Sequence, residues 1–193
     1  LKSIYLKKLE INSRVLFFNS SIQNWTLEFE DLNKNNTNFI RRDTNGLSGC
    51  LNIYDSKIEN LKILIKDTKC EDALNLVRSN GSINKLKISN SLFDGLDADF
   101  SNLTISNVEV INSGNDCMDF SYGKYILSEL NLLQCNDKAV STGEASKLEM
   151  NNFVIEKSLI GIASKDSAIV VSSDGLIKNV DKCLSIYKKK TRV

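Results

Sequence analysis

The stretch Asp72-Ala-Leu-Asn-Leu76 returns 22 residues later as Asp94-Gly-Leu-Asp-Ala98 and again as Asp116-Cys-Met-Asp-Phe120. Three further copies follow at the same spacing, beginning at Lys138, Ile160 and Lys182. The third residue of every copy is aliphatic or Met, and the second is always Ala, Gly or Cys. A period held over this many copies identifies a repeat architecture, in which each unit is stable only when it stacks on its neighbours.

Each repeat also alternates apolar and polar residues, as in Leu103-Thr-Ile105 and Val108-Glu-Val110. Alternation with a period of two indicates β-strands, and a unit of 22 residues that holds three short strands has no room for a helix. The chain contains no Pro that would remove a donor from a strand ladder. The sequence therefore predicts an all-β fold, a single-stranded parallel β-helix with about 22 residues and three short strands per coil.

We expect one domain over residues 1–193, with regular coils from 47 to 190. Residues 1–30 still alternate but without a clean period, and are predicted to form irregular coils. Residues 31–46 are a polar interruption, predicted to be a loop that projects from the stack. The turn after the second strand is predicted to form one column along the axis, which contains Asn90, Asn107, Glu129, Asn152 and Ser173.

Composition excludes several classes of function. The formal net charge of +1 provides no general field for attracting nucleic acid, and no apolar run approaches the ~20 residues needed to cross a bilayer. We therefore expect no nucleic-acid partner and no membrane span. The absence of His removes the commonest general base and every Ser-His or Cys-His nucleophile pair. The five Cys residues form no CxxC motif, so we expect buried free thiols.

In the strand that begins each copy, the third and fifth positions are expected to point into the solenoid, so the fourth and sixth must face solvent. Equivalent residues of neighbouring coils should lie ~4.8 Å apart and form columns. Column 1 contains Asp72, Asp94, Asp116, Lys138, Ile160 and Lys182; column 4 contains Asn75, Asp97, Asp119, Ser141, Ala163 and Ser185; column 6 contains Val77, Asp99, Ser121, Gly143, Lys165 and Tyr187.

Carboxylates stacked one rung apart repel each other, so they share protons, bind a cation or pair with a base. Lys138 can pair with Asp116, whereas Asp97 and Asp119 have no such base. One interpretation is a surface groove that acts on a saccharide by general acid/base chemistry, or that binds Ca²⁺ through Asp94, Asp97, Asp116 and Asp119. The other is that Asp at a strand start accepts turn N–H bonds and that outward Asp residues keep the sheet face soluble.

Four short motifs occur in order along the repeats: Asp94-Gly-Leu-Asp97, Gly114-Asn-Asp-Cys117, Cys135-Asn-Asp-Lys-Ala-Val-Ser-Thr-Gly143 and Gly161-Ile-Ala-Ser-Lys165. This series resembles that of polygalacturonase-type glycoside hydrolases, which belong to the pectin-lyase-like superfamily of right-handed parallel β-helices. The resemblance implies a right-handed coil, a role for Asp94 and Asp116 in water activation, and contact between Lys165 and a substrate carboxylate.

Three residues depart from that pattern. Asn115 stands where the family has an acid, Lys138 where it has His, and Ala163 where it has Arg. An amide cannot donate the proton that the leaving oxygen needs. We therefore expect no standard polygalacturonase activity.

The same region is more similar to uncharacterised β-helix domains of bacterial surface proteins, including those that accompany spore-coat-kinase-like (CotH-type) modules. The shared forms are Asp94-Gly-Leu-Asp-Ala-Asp-Phe-Ser101, Gly114-Asn-Asp-Cys-Met-Asp-Phe-Ser121, Asp137-Lys-Ala-Val-Ser-Thr-Gly-Glu144 and Gly161-Ile-Ala-Ser-Lys-Asp166. This resemblance implies an extracellular or cell-surface location and names no reaction.

Three functions fit these residues. The first is a surface or secreted module that binds polysaccharide, through Asp97, Asp99, Asp119, Lys165 and Tyr187. The second is a polysaccharide lyase, epimerase or glycoside hydrolase with non-standard catalytic residues, drawn from Asp94, Asp116, Lys138 and Lys165. The third is a structural spacer. Ca²⁺ is the one cofactor that these residues suggest, and uncapped solenoid ends would permit end-to-end association.

Overall fold

A computed structural model describes residues 2–10, 12–32 and 40–189. These residues form fourteen β-strands and no helix, and the strands pair in parallel. They build a β-solenoid of about 8 turns with about 22 residues per turn. The predicted all-β parallel β-helix is therefore confirmed. Within the described ranges, no helix is long and apolar enough to cross a membrane.

The strand bounds are β1 Lys2–Lys8, β2 Val15–Phe18, β3 Ser21–Gln23, β4 Trp25–Asp31, β5 Gly49–Tyr54, β6 Lys57–Thr68, β7 Asp72–Val77, β8 Asn80–Ser91, β9 Asp94–Asp99, β10 Asn102–Ser113, β11 Met118–Ser121, β12 Lys124–Gly143, β13 Lys147–Lys165 and β14 Ile169–Tyr187.

Equivalent repeat positions stack in register, as the period predicts. Leu96 of β9 pairs with Leu74 and Met118, and the same column continues through Val140, Ile162 and Leu184. We call the side of the solenoid that contains this column the first side; it consists of β2, β5, β7, β9, β11 and the C-terminal parts of β12, β13 and β14. The N-terminal strands join the same ladders, since β1 pairs with β4 and β2 with β5.

The three strands predicted for each coil form the three sides of the solenoid, and they run into one another with few breaks. β8 and β10 each cover two sides, and β12, β13 and β14 cover all three without a break. Single residues in the left-handed conformation turn the chain at the corners, so ladder bonds continue immediately before and after them.

Turn residues form two columns where the sequence predicted one. One corner contains Asn60, Asn107, Glu129, Asn152 and Asp174, and the next contains Asp67, Asn90, Asn112, Gln134, Lys157 and Asn179. The predicted column was wrong at Asn90, which belongs to the second corner, and at Ser173, which precedes a corner. Both corners follow apolar alternation and favour Asn, so the local pattern does not separate them. Asn112 Nδ2 donates to Asn90 Oδ1 at 2.9 Å, an amide contact along the axis.

Columns 3 and 5 point into the solenoid in the interior coils, as predicted. Leu96, Met118 and Phe120 are completely buried. The last coil differs because no described coil covers it: Leu184 is 63% exposed and Ile186 is 84% exposed. We call this uncovered surface of β14 the open end.

Columns 4 and 6 point outward, but the expectation that they face solvent is wrong at several positions. The buried members are Asn75, Ser141, Gly143, Ala163 and Lys165. Lysine side chains cover the first side near Gly143, where an added Cβ would lie 3.4 Å from Lys165 Cε and 3.8 Å from Lys189 Nζ. Long lysine side chains bury neighbouring positions beneath their methylene groups, an effect that strand alternation does not include.

Two disulfides correct the prediction of free thiols. Cys50 pairs with Cys70, and Cys117 pairs with Cys135. The pairs are separated by 20 and 18 residues, slightly less than one coil, so the chain returns to the same corner and brings the two Cα atoms within 5.4 and 5.3 Å. The fifth residue, Cys183, is free and exposed. No CxxC spacing marks these pairs because the partners lie almost a whole coil apart.

The predicted loop at 31–46 is described in part. Residue 31 ends β4, and residues 33–39 lie outside the described residues. The rest of the loop is a tight turn in which Asp43 Oδ1 accepts hydrogen bonds from the backbone N of Asn45 and Leu47, at 2.9 and 2.8 Å. Arg41 forms an ion pair with Glu71, which attaches the loop to the segment before β7.

Candidate functional site

Aspartates from three neighbouring coils meet on the first side, where β7, β9 and β11 stack. Asp72 pairs in register with Asp94, and Asp97 pairs with Asp119. Asp99 lies beside Asp97 in column 6. We call the set Asp72, Asp94, Asp97, Asp99, Asp116 and Asp119 the acidic face. The predicted rung-by-rung stacking of these carboxylates is thereby confirmed for the pairs that the ladders record.

Column 1 carboxylates bind the backbone of the coil above. Asp94 Oδ1 accepts hydrogen bonds from Asn115 Nδ2 at 2.6 Å and from the backbone N of Asp116 at 2.8 Å. Asp116 Oδ1 accepts in the same way from the backbone N of Lys138 at 3.0 Å. Asp at the start of each strand thus satisfies a turn donor, which is one of the two interpretations given above.

Lys138 is held by two carboxylates. Its Nζ lies 3.2 Å from Asp116 Oδ1 and also forms an ion pair with Asp137. Burial opposes the charged form, but the hydrogen bond to Asp137 and the charge of Asp116 outweigh it and raise the pKa of Lys138. Lys138 therefore stays protonated at neutral pH, so it neutralises Asp116 and is not available as a base.

The acidic face holds protons more tightly than ordinary carboxylates do. Burial raises the pKa of Asp94 to about 7, and the charge of Asp116 adds to the shift. Burial likewise raises the pKa of Asp72 to about 7. For Asp97, burial and then the charges of Asp72, Asp99 and Asp119 raise the pKa well above its usual range. The face is therefore partly protonated near neutral pH, and its groups can both donate and accept hydrogen bonds.

A short relay of side chains runs from Tyr54, which is in register with Val77 of column 6, into column 4. Tyr54 OH donates to Asn75 Oδ1 at 2.5 Å, and Asn75 Nδ2 donates to Asp97 Oδ2 at 3.1 Å. Further along the column, Asp119 Oδ1 and Ser141 Oγ are buried without a hydrogen-bond partner. Lys165 Nζ approaches Asp119 Oδ1 to 3.8 Å, which is an ion-pair distance but too long for a hydrogen bond.

The predicted Ca²⁺ ligands lie on one face, but they do not converge on a point. Among the described residues, no group of three or more His, Cys, Asp or Glu side chains is arranged so that it could hold a metal ion. The donor type, Asp with Asn, suits Ca²⁺, which takes six to eight oxygen ligands. The Ca²⁺ site stays a prediction that this geometry does not support.

An exposed aromatic pair borders the acidic face. Phe100 follows Asp99 and Tyr122 follows Ser121, at the corner that ends the first side. Their rings stack with centroids 4.6 Å apart and an angle of 3° between the planes, and both residues are about half exposed. Both adopt a positive φ, of 51° and 48°, which is uncommon for a bulky side chain. The equivalent corner residues Asp55, Arg78 and Asp166 share this conformation, so the positive φ belongs to the turn.

Sequence reasoning did not select the aromatic pair. Phe100 and Tyr122 occur 22 residues apart, each directly after a column 6 residue. The period itself could therefore have placed the two rings on adjacent rungs. The charged columns are the stronger pattern, however, and a corner position by itself indicates only a turn.

Of the predicted contact residues, Tyr187 is not brought to the acidic face, and Lys165 reaches it only as a buried partner of Asp119. Tyr187 lies on the last coil, where it pairs with Lys165, four rungs or roughly 19 Å along column 6 from Asp99. Lys165 is 6% exposed and its ammonium group points to Asp119. The remaining residues predicted for ligand contact, Asp97, Asp99 and Asp119, do lie together.

No family profile matches the chain, and no curated protein is significantly similar to it. The β-solenoid itself is consistent with the right-handed parallel β-helix that the motifs suggested.

Proposed function

We propose that the chain is a saccharide-binding β-helix module of the cell surface or of a secreted protein, and that the ligand lies along the acidic face against the aromatic pair. The exposed, stacked rings of Phe100 and Tyr122 beside Asp97 and Asp99 carry this proposal. A pyranose ring has apolar C–H faces that pack on aromatic rings, and hydroxyl groups that donate to carboxylates. Aromatic surface with a few polar groups that fix orientation is typical of small-ligand sites.

The two disulfides support the proposed location. Disulfides form and persist in oxidising surroundings, such as the cell exterior, and are rare in the reducing cytosol. Cys50–Cys70 and Cys117–Cys135 each join neighbouring turns of the solenoid. Quantifying free thiols in protein taken from its native source tests this point, with one reactive thiol, that of Cys183, as the expected result.

The contacts of Asn115 and Lys138 support binding without standard polygalacturonase activity. The Asn115 amide donates to Asp94, so this position supplies a fixed hydrogen bond and no transferable proton. Lys138 is tied to Asp116 and Asp137. We therefore expect no release of reducing ends from polygalacturonate, and release abolished by Asp116→Asn would contradict this account.

A saccharide panel tests the proposed function. Wild-type protein is titrated with neutral, anionic and cationic hexasaccharides, and we expect saturable binding of at least one of them. Phe100→Ala and Tyr122→Ala should each weaken that binding at least tenfold. Tyr5→Ala removes an exposed ring from β1, away from the first side, and should leave binding unchanged. Binding that survives loss of both rings, or no binding to the panel, would overturn the proposal.

A second candidate function is a carbohydrate-active enzyme, and Asp94 favours it. Its pKa of about 7 is suitable for a general acid at neutral pH, and Asp116 lies one rung away. Incubation of each panel saccharide with the protein, followed by assays for reducing ends and for unsaturated products, tests this function. A turnover signal that is lost in Asp94→Asn would establish the enzymatic function. No turnover signal, together with intact binding, would leave saccharide binding as the function.

The open end supports end-to-end association of two copies. In the interior coils, the next coil covers the inward side chains. The same columns continue into β14, where a coil of a second copy would cover Leu184 and Ile186 in the same way. Sedimentation over a range of concentrations tests this, since Leu184→Asp with Ile186→Asp should abolish any concentration-dependent assembly. Assembly unchanged in that variant would show that the open end does not mediate it.

If neither saccharide binding nor turnover is found, a structural spacer is the function that remains.

A further inference from the structure

We infer that the saccharide bound by the acidic face carries a protonated primary amine, as a glucosamine unit does, and that Asp97 and Asp99 receive that amine. This inference rests on the proposed function and deepens it, because it names the chemical class of the ligand. It is carried by the distribution of ammonium groups over the first side, and by the aromatic pair next to the two carboxylates.

We call the half of the first side whose lysines come from β12, β13 and the segment after β14 the upper half. This half already shows how the surface binds primary ammonium groups. Lys138 Nζ lies 3.2 Å from Asp116 Oδ1, and Lys165 Nζ lies 3.8 Å from Asp119 Oδ1. Lys189 reaches back from beyond β14 to form ion pairs with Glu144 and Asp166. Each of these lysines is supplied by a later coil or by the segment that follows β14, so each ammonium group lies over a carboxylate of an earlier coil.

The lower half, built from β7 and β9, carries carboxylates without such a cation. Within the described ranges, no Lys or Arg nitrogen lies within ion-pair distance of Asp72, Asp97 or Asp99. Asp97 receives one amide hydrogen bond, from Asn75 Nδ2. Three acidic groups on adjacent rungs therefore lack the ammonium partner that the same columns have further along the solenoid.

Asp72 gives a second sign of incomplete partnering, beyond the hydrogen bond that Ser48 donates to it and the charge of Arg42. It is 2% exposed, and its Oδ2 is buried without any hydrogen-bond partner. Its charge is the first among those that act on Asp97. A buried polar oxygen without a partner is rare in folded proteins, so its presence next to Asp97 calls for a group that can pair with it.

The aromatic pair favours an amino sugar over a basic peptide. Phe100 directly follows Asp99, so an apolar ring and a carboxylate are adjacent on the surface. A glucosamine unit presents its apolar ring face and its ammonium group from one rigid ring, which matches that arrangement. A lysine side chain presents the ammonium group at the end of a flexible stem and offers no ring, and it loses more rotamer freedom on binding.

The same charges disfavour an acidic sugar. A uronate placed against the acidic face would add a like charge beside Asp97 and Asp99, and each of these carboxylates repels it whenever it is ionised. Lys165, which the family resemblance associates with a substrate carboxylate, is buried and directed at Asp119. A positive group at the ligand is therefore the complementary one.

Three matched hexasaccharides test the inference by titration calorimetry at pH 6.5 and low salt: the glucosamine hexamer, the fully N-acetylated hexamer and hexagalacturonate. We expect the glucosamine hexamer to bind at least tenfold more tightly than its N-acetylated form, and hexagalacturonate to bind most weakly. Asp97→Asn combined with Asp99→Asn should abolish the preference. Asp137→Asn removes a more exposed carboxylate that already has Lys138 as its partner, and should leave the preference intact.

Proton release gives a second readout. Because like-charge repulsion contributes to the raised pKa of both Asp97 and Asp99, a bound ammonium group should displace protons from the face. Titrations in two buffers of different ionisation enthalpy should therefore show net proton release with the glucosamine hexamer in wild type. The release should disappear in the Asp97→Asn/Asp99→Asn variant.

Each alternative outcome is decisive. Equal or tighter binding of the N-acetylated hexamer would overturn the amine inference while leaving saccharide binding in place. No binding of any of the three, together with failure of the larger panel, would overturn both. A lysine hexapeptide that binds as tightly as the glucosamine hexamer, with no effect of Tyr122→Ala, would show that the face recognises basic peptides and would overturn the assignment to a saccharide.

Discussion

Two halves of the first side have the same backbone and nearly the same columns, but they balance charge in different ways. In the half built from β12, β13 and β14, lysines lie over the carboxylates, as Lys138 does over Asp116. In the half built from β7 and β9, Asp72, Asp97 and Asp99 have no such partner within the described residues. In a repeat protein, a charged residue of the repeat recurs on every coil and forms a column of like charges. The coils that lack a compensating lysine are therefore the ones where a cationic ligand is complementary to the surface.

The largest effect is expected where a lysine is removed from the balanced half. Lys138→Met leaves the Asp116 carboxylate, whose side chain is 4% exposed, without its cation, and should lower the free energy of unfolding by about 3 kcal/mol. Chemical denaturation measures the change. In the control, Lys138→Met with Asp116→Asn should recover most of the loss, because the buried charge is removed as well. A loss below about 1 kcal/mol in the single variant would show that this half does not depend on its lysines.

The next effect is expected in the pH dependence of the free energy of unfolding. Burial and the charge of Asp116 raise the pKa of Asp94 to about 7, above its unfolded value, so the folded state binds the extra proton. The stability contributed by this proton is complete below the unfolded pKa and is lost as the pH rises from about 4 to about 7. Asp94→Asn does not titrate, so its stability relative to wild type should increase by about 3 kcal/mol over that range.

Melting curves of wild type and Asp94→Asn at several pH values measure this difference. Carboxylates remote from the acidic face contribute equally to both proteins and cancel in the comparison. A difference that stays constant between pH 4 and pH 7, or one that falls, would mean that Asp94 does not hold a proton in the folded state.

A single Asp97→Asn substitution should stabilise the unbalanced half. It removes the like charge next to Asp72, Asp99 and Asp119 but keeps an oxygen that can accept from Asn75 Nδ2. We expect the free energy of unfolding at pH 7.5 to rise by about 1 kcal/mol. Asp116→Asn, in the balanced half, should have the opposite sign. Destabilisation by both variants would show that the two halves do not differ in charge balance.

The smallest effect is expected from Ca²⁺. If millimolar Ca²⁺ binds weakly across Asp94, Asp97, Asp116 and Asp119, a concentration equal to the dissociation constant stabilises by about 0.4 kcal/mol. The melting temperature should rise slightly with Ca²⁺, and the rise should disappear in Asp97→Asn with Asp119→Asn. An unchanged wild-type curve, together with a higher melting temperature of the double variant, would mean unrelieved repulsion and no Ca²⁺ site.

The fold could be read from the sequence because the period specifies register. The starts at Asp72, Asp94 and Asp116 predict which residues pair, and the ladders have that register. Spacing alone could not reveal the disulfides, since Cys117 and Cys135 meet only after the chain has closed a coil. The two corners were merged because both favour Asn, and only backbone conformation separates Asn90 from Asn107.

The site was predictable only in part, for a related physical reason. Column positions brought Asp97, Asp99 and Asp119 together correctly, because strand geometry fixes them. Long side chains do not obey such rules: Lys165 folds over the sheet and is buried against Asp119. The burial of Ser141 and Ala163 follows from such covering and cannot be read from alternation.

Mapping of amide chemical shifts tests the central claim most directly, namely that the ligand occupies the unbalanced half of the first side. In a titration of ¹⁵N-labelled protein with the glucosamine hexamer, we predict the largest shifts at Asp97, Asp99, Phe100 and Tyr122, and none at Ala163. Shifts confined to the rungs around Lys138 and Lys165 would contradict the account. So would shifts confined to the separate groove of about 350 Å³ that is lined by Asp67, Asn90 and Asn112.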